Sequence, residues 1–411
     1  MKPFFSFLFL IAFSFCVNAQ TDNKIILGTI DSIHSKILNE QRKVWIYVPN
    51  SAANDIYSRQ RYPVVYLLDG DAHFYSVVGM IQQLSSVNGN SICPEMIVVG
   101  ILNTDRTRDL TPTHVDADPP FMDSASSKNS GGGEKFISFI EKELIPHIDS
   151  LYPTEPYRTL VGHSFGGLTV INALVHHTSL FNAYIAIDPS MWWHHQKLLN
   201  EAKQALASRT YPGVSLFLGI ANTMNPGMDT MRVQQDTTTF SRHIRSILEL
   251  NKYFTTNKQN QLKYQYKYYD NDDHGSVPLI TEYDALHFIF SYYPLRLTFD
   301  EFSNLNMAVI SKIENHYKDI TKQLGYTATV PESMANNIGY QALSNKHFKE
   351  AEYLFKLNIT NYPASFNAYD SIADFYEATG DKTRAMDNYK KSLSFKEVKD
   401  TRQKLEKLER K

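Results

Sequence analysis

The chain has 411 residues, with 41 Lys and Arg set against 43 Asp and Glu. A balance so near neutral leaves no electrostatic case for nucleic acid or an anionic membrane surface as partner. The length exceeds one ordinary domain, so two are expected, and 24 Phe and 25 Tyr suit a large aromatic core or cleft.

At the N-terminus Met1-Lys2 precede the apolar run Pro3 to Phe13, and Val17-Asn18-Ala19 supplies a small-residue cleavage site before Gln20. This pattern predicts a secretory signal peptide over residues 1–19. Its apolar run is too short for a membrane span, and no later segment approaches that length. The expected product is a periplasmic or secreted chain with no membrane span. Phe13 and Phe15 are bulky where a lipoprotein signal wants small or aliphatic residues before Cys16, so lipidation is rejected. Only Cys93 then remains, which excludes an intramolecular disulfide. Lying just before the apolar run Met96 to Val99, it reads as a buried, inert thiol.

Residues 20–298 alternate strand and helix signals. Strands are predicted at Lys24 to His34, Arg42 to Val48, Pro63 to Leu68, Met96 to Ile101, Tyr157 to Val161, Ala183 to Ile187, Val214 to Gly219 and Leu262 to Tyr269. Helices are predicted at Glu134 to Ser150, Leu168 to His177, Gln196 to Ser208, Thr238 to Asn251 and Ser276 to Tyr292. Such alternation implies an α/β domain with a mostly parallel sheet. The near-continuous apolar run Pro63 to Leu68 suits a strand covered on both faces. Asp116 to Gly133, with Pro119-Pro120 and Gly131-Gly132-Gly133, has no period and reads as a long mobile loop placed like a lid.

The tail follows a different pattern. A connecting region, residues 299–330, contains the predicted helix Met307 to Leu324. From Glu332, Gly339, Ala351, Phe355 and Pro363 fall at tetratricopeptide positions, and Tyr369, Ala373, Tyr376, Ala385 and Tyr389 repeat the register 34 residues on. Residues 331–411 are therefore expected to form a small all-α domain of two such repeats with a capping helix from Lys399. Two repeats bury too little to stand alone, so docking on the first domain is expected.

Gly162-His163-Ser164-Phe165-Gly166 lies between the strand ending at Val161 and the helix beginning near Leu168. A serine on such a tight turn projects its hydroxyl into open space, and small residues two positions either side prevent backbone clashes. The new helix aims its positive end at any anion forming beside Ser164. A base for that hydroxyl must follow the last strand, and His274 in Asp272-Asp273-His274-Gly275-Ser276 is there. The doublets His176-His177 and His194-His195 diverge by about 100° on a helix and make no metal clamp, so no metal or cofactor is expected. The orienting carboxylate should follow the strand Val214 to Gly219. Asp229 is the candidate, Asp236 the second, and a dyad without an acid stays open; Asn222 is nearest the strand end but carries no charge. Oxyanion donors are expected at the main-chain amides of Phe165 and Asp71.

Leu67-Leu68-Asp69-Gly70, Val99-Gly100-Ile101, Glu143-Leu144-Ile145-Pro146, Gly162 to Gly167 and Pro189-Ser190-Met191-Trp192-Trp193 follow one another in order. Together they resemble the α/β-hydrolase esterase family that includes esterase D, feruloyl and acetylxylan esterases, mycolyltransferases and siderophore trilactone esterases. The resemblance covers about Lys24 to Leu295, and the Pro-Ser-x-Trp-Trp segment is most similar to the siderophore branch. It implies an α/β-hydrolase fold with Ser164 as nucleophile, His274 as base and oxyanion amides at Asp71 and Phe165. Asp188 departs from the serine common at that point, and the family pattern does not fix the acid. Trp192 and Trp193 are candidates for the wall of an acyl or aryl pocket. Arg106 and Arg108, in a loop beyond a strand's C-terminal end, are candidates for gripping an anionic substrate.

The expected activity is hydrolysis of a carboxylic ester through an acyl-enzyme. A siderophore-like lactone and an acyl group on a polysaccharide are both open as substrate. Acyl transfer to an alcohol, or an idle scaffold binding a protein partner through its helical repeats, are the contrasting readings.

Overall fold

The computed structural model describes residues 25–410; the signal-peptide segment, its cleavage site and Cys16 lie outside them. Eight strands form one sheet: β1 Thr29–Ser35, β2 Glu40–Tyr47, β3 Tyr62–Leu67, β4 Ile97–Ile101, β5 Thr154–His163, β6 Ala183–Ile187, β7 Ser215–Ala221 and β8 Lys263–Tyr269. Their order is β1-β2-β4-β3-β5-β6-β7-β8. The first two pairings, β1 with β2 and β2 with β4, are antiparallel, and every pairing from β4 to β8 is parallel.

Between the strands run α1 Gly70–Ser85, α2 Arg106–Leu110, α3 Ser124–Ser127, α4 Gly133–Phe139, α5 Ile145–Leu151, α6 Phe165–His176, α7 Trp193–Ser208, α8 Arg232–Gln235, α9 Arg242–Thr256 and α10 Val277–Ile289. The helix predicted over Glu134 to Ser150 is realised as α4 and α5 joined by a π-helical turn, Ile140–Leu144. Alternate residues of each central strand serve opposite faces. Val64, Tyr66, Ile97 and Val99 pack under α4 to α7 and α9. Val65, Leu67, Val98 and Ile185 pack under α1 and α10. This double cover explains why all six β3 residues are buried. It is the α/β-hydrolase architecture that the motifs imply, with the loops at the C-terminal ends of the parallel strands gathered on one edge.

Helix α1 was not among the elements expected from the sequence. Phe74, Val77, Val78, Ile81 and Leu84 are its buried positions, the spacing of one helical face. Cys93 is free and buried, and burial pushes its thiol up to about 12.

Beyond the sheet come α11 Phe299–Ser303, α12 Met307–Leu324, α13 Glu332–Ser344, α14 Phe348–Asn361, α15 Phe366–Ala378, α16 Lys382–Phe395 and α17 Lys399–Glu409. Helix α12 bridges the two parts of the chain. Its Ile320 and Leu324 complete the core beneath α1 and α10, whereas Val309, Ile310 and Ile313 pack on Val330, Ala335 and Leu354. Helices α13 to α16 form two hairpins whose first residues, Glu332 and Phe366, are 34 positions apart. Gly339 lets these helices close: a Cβ there would stand 2.8 Å from the Phe355 ring. Among the described residues no helix is long and apolar enough to cross a membrane.

Candidate active site

Strand β5 ends at His163 and α6 begins at Phe165, so Ser164 alone makes the turn, at φ 60° and ψ −113°. A non-glycine residue held there carries about 1–3 kcal/mol of strain, which the surrounding structure must enforce. Enforcement comes from both sides: Ser164 N donates to Ile187 O at 3.0 Å, and Ser190 N donates to Ser164 O at 3.0 Å. Gly162 is required by the tightness of the turn, since a Cβ on it would lie 2.4 Å from the Gly166 carbonyl carbon.

His274 sits in the turn between β8 and α10, and that turn is fastened at each end. Asn222, just past β7, donates its amide N–H to Asp272 O at 2.8 Å and its Nδ2 to Asp270 O at 3.0 Å. Asp273 Oδ1 accepts from the amides of Gly275 and Ser276, both at 2.9 Å. The His274 ring lies 4.5 Å from that of His163, the residue before Ser164. Burial, assisted by the charge of His274, pushes His163 down to about 4, so its ring is neutral where it meets His274.

The carboxylate on His274 is Asp188, not Asp229 or Asp236. Asp188 follows β6 directly, and its Oδ2 lies 2.6 Å from His274 Nδ1. Strand register explains the meeting. Ile187 pairs with both His163 and Gly219, so the end of β6 lies between the serine turn and the end of β7, the neighbour of β8. Asp188 is fully buried, and burial alone would raise its carboxyl. The charge and hydrogen bond of His243, then those of His274, outweigh burial and hold it well below the usual carboxylate range.

Asp229 is exposed instead, and its Oδ1 accepts from the amides of Met231 and Arg232 at 2.9 and 2.8 Å. Asp236 is taken up by Thr238, through the amide at 3.1 Å and Oγ1 at 2.7 Å. Both are local turn-forming carboxylates.

Ser164 Oγ makes its hydrogen bond to Ser190 Oγ, at 3.3 Å, rather than to His274. Serine–histidine contacts commonly tighten only around bound substrate. His274 is fixed through Nδ1, which leaves Nε2 as the nitrogen able to take a proton from Ser164. Phe165 opens α6 and Asp71 lies in the first turn of α1, so neither amide has an intrahelical acceptor.

Arg106 and Arg108 have parted. Arg106 is paired with Asp69, beside the turn, and also donates to His163 O at 3.3 Å. Its guanidinium lies over the Phe165 ring, 5.5 Å from the centroid. Arg108 is engaged by Glu40 through Nη1 and Nη2 and by Asp109 through Nε, in a network with buried Arg42. That position contradicts a substrate grip, because its charge is already neutralised by two carboxylates.

Trp192 and Trp193 are both buried, at 5% and 1% exposure. Trp193 donates its indole N–H to Thr113 O at 3.0 Å and meets Phe165 edge-on. Trp192 lies under Phe121, ring centroids 4.6 Å apart, with Arg242 on its face. Phe121 belongs to the stretch expected as a loose loop. That stretch carries α3 and is fastened by the pair Asp118–Arg242 at 2.6 Å.

Asp188, His243 and His274 offer ligand atoms within 4.8 Å of one another. Both ring nitrogens already hydrogen-bond one Asp188 oxygen, an arrangement of donors and acceptor that needs no ion between them.

The family model described as Putative esterase matches residues 35–274. The Siderophore enterobactin esterase of Emericella nidulans is 33% identical over 171 residues, 38% of this chain and 56% of that protein. The Ferri-bacillibactin esterase BesA of Bacillus subtilis is 34% identical over 198 residues, 45% of this chain and 66% of that protein. The match thus spans between about half and two thirds of the length of these curated relatives. Among solved structures, an IroE-like serine hydrolase from Shewanella oneidensis has a TM-score of 0.67 at 28% identity, covering 80% of this chain and 98% of that one.

Proposed function

This chain belongs to the Putative esterase family, and from that premise we propose that it is a serine hydrolase cleaving a carboxylic ester of the siderophore-lactone type. The names of the relatives support the substrate class. One observation carries the mechanism: His274 Nδ1 is bonded to buried Asp188 at 2.6 Å while its ring stands beside the strained Ser164 turn.

Ser164 Oγ attacks the ester carbonyl carbon and its proton passes to His274 Nε2. The oxyanion forms at the amides of Phe165 and Asp71, where one lost donor costs about 2.7–4 kcal/mol. Collapse of the tetrahedral adduct breaks the C–O bond, and His274 returns the proton to the departing alcohol oxygen. Water, deprotonated by His274, then attacks the acyl-enzyme; collapse frees the acid and Ser164 regains its proton. Asp188 stays ionised throughout and holds the imidazole in the required tautomer.

The N-terminal segment supports an extracytoplasmic location, and the 34-residue spacing supports reading α13 to α16 as tetratricopeptide-like repeats. The test compares wild type with Ser164→Ala on a cyclic trilactone siderophore and on a short p-nitrophenyl ester. Turnover and fluorophosphonate labelling confined to the wild type are the expected result. Equal turnover by both proteins, or none by either, rules the reading out.

A further inference from the structure

Asp188 receives more donors than a triad acid requires. Oδ2 lies 2.6 Å from His274 Nδ1 and 2.8 Å from His243 Nε2, and Oδ1 accepts from the Ala221 amide at 3.0 Å. His243 is the second residue of α9, an element far in sequence from both partners. It is itself buried, and its other ring nitrogen, Nδ1, is buried without a hydrogen-bond partner. Facing an ionised carboxylate, Nε2 is a donor, its N–H pointing at Asp188. Its ring meets that of His274 edge-on at 5.3 Å and 85°.

We infer that His243 is a positioning residue for the triad: it fixes the plane of the Asp188 carboxylate so that the same oxygen holds His274 with Nε2 free for Ser164. The inference rests on the triad reading given above. A carboxylate held at one oxygen can swing about its Cβ–Cγ bond and carry the attached imidazole with it. Donors from Ala221 on Oδ1 and His243 on Oδ2 leave one direction on Oδ2, and His274 occupies it. His274 is the most exposed of the three side chains, at 41% against 10% and 0% for His243 and Asp188. Packing therefore constrains its ring least, and hydrogen bonding must supply the orientation.

Two uncharged amides separate this role from mere space-filling. In His243→Gln the amide nitrogen stands as many bonds from Cα as Nε2 does; in His243→Asn it stops one bond short. The Gln variant should keep kcat within about 3-fold. The Asn variant, and His243→Phe, should lose about 10- to 100-fold in kcat with little change in KM, the effect of one hydrogen bond to a charged group. Fluorophosphonate labelling of Ser164 should slow in parallel, with melting temperatures measured for each protein. If His243→Phe does not fold, the Gln and Asn pair decides. Equal kcat in those two, or a loss expressed only in KM, overturns the positioning role while an inactive Ser164→Ala leaves the triad standing. An active Ser164→Ala removes both.

Discussion

Arg106 closes on Asp69 with two contacts, Nε to Oδ1 at 2.7 Å and Nη2 to Oδ2 at 2.8 Å, and so ties α2 to the β3–α1 turn beside Ser164. Asp69 is itself a non-glycine residue at positive φ, 52°. Two non-glycine residues at positive φ, Asp69 and Ser164, thus immediately precede α1 and α6. Burial alone would raise the Asp69 carboxyl, but the Arg106 guanidinium outweighs it and keeps the group ionised.

The pair predicts the phenotype of Arg106→Gln. Asp69 is left buried without its main partner while Arg106 is about one-third exposed, so the loss of stability should be about 1–3 kcal/mol. The turn that offers the Asp71 amide should also loosen, which lowers kcat by about 10-fold. KM should move little. A raised KM with kcat and melting temperature unchanged would instead identify Arg106 as a grip on substrate.

The acid assignment separates two substitutions of like chemistry. Asp188→Asn should lower kcat by about 10³- to 10⁴-fold, because a neutral amide cannot hold the productive tautomer or stabilise the imidazolium. Asp229→Asn removes only an exposed turn acceptor and should leave kcat within about 2-fold. Steady-state kinetics on a p-nitrophenyl ester decide the matter, and a reversed order of the two effects restores Asp229.

Much of this candidate site was legible in the sequence, and one part of it was not. Ser164 and His274 announce themselves because local pattern marks each: a glycine-flanked serine between an apolar strand and an apolar helix, and a histidine in a polar turn after the last strand. The central strands β3, β4, β6 and β7 were legible for a related reason, since double cover writes a strand as an apolar run. Asp188 was not legible as an acid. Expectation placed the carboxylate beyond β7, whereas here it follows β6, and only the pairing of Ile187 with Gly219 brings it within reach of His274. The available signal was a charged residue set directly against the apolar run Ala183 to Ile187. His243 left no local signal, because its role is defined by residues 55 and 31 positions away in sequence.

Docking of the helical region should be sensitive to Glu332. This buried carboxylate accepts from the amide of Ser58 at 2.8 Å, across the junction, and from Ser365 Oγ within the helical region. Glu332→Ala leaves both donors unpaired, at about 1–3 kcal/mol for a buried group. The expected result is a lower melting temperature and faster proteolysis between the two parts, with kcat preserved at low temperature. Unchanged proteolysis and melting would mean that the Glu332 contact does not hold the parts together and that α12 and the Lys396–Asp55 pair suffice.

Glu282 makes stability depend on pH in a direction opposite to that of an ordinary salt-bridged acid. It lies in α10 against Val65, Val77, Ile81, Val161 and Ile185, and neither carboxyl oxygen has a hydrogen-bond partner. Burial pushes it up from 4.5 to about 8. Below pH 4.5 folded and unfolded chains both hold the proton, and this group adds no slope. Between pH 4.5 and about 8 the folded chain retains a proton that the unfolded chain has released. Rising pH then favours unfolding, by up to about 1.4 kcal/mol per pH unit. Glu282→Gln abolishes this titration with little change of shape. Its unpaired amide has a cost of its own, so the comparison rests on slopes and not on absolute stability. Denaturant melts from pH 5 to 9 should show wild type losing stability relative to Glu282→Gln up to about pH 8 and running parallel above it. Parallel curves across the whole range would mean that the carboxyl has found a partner and is ionised in the folded chain.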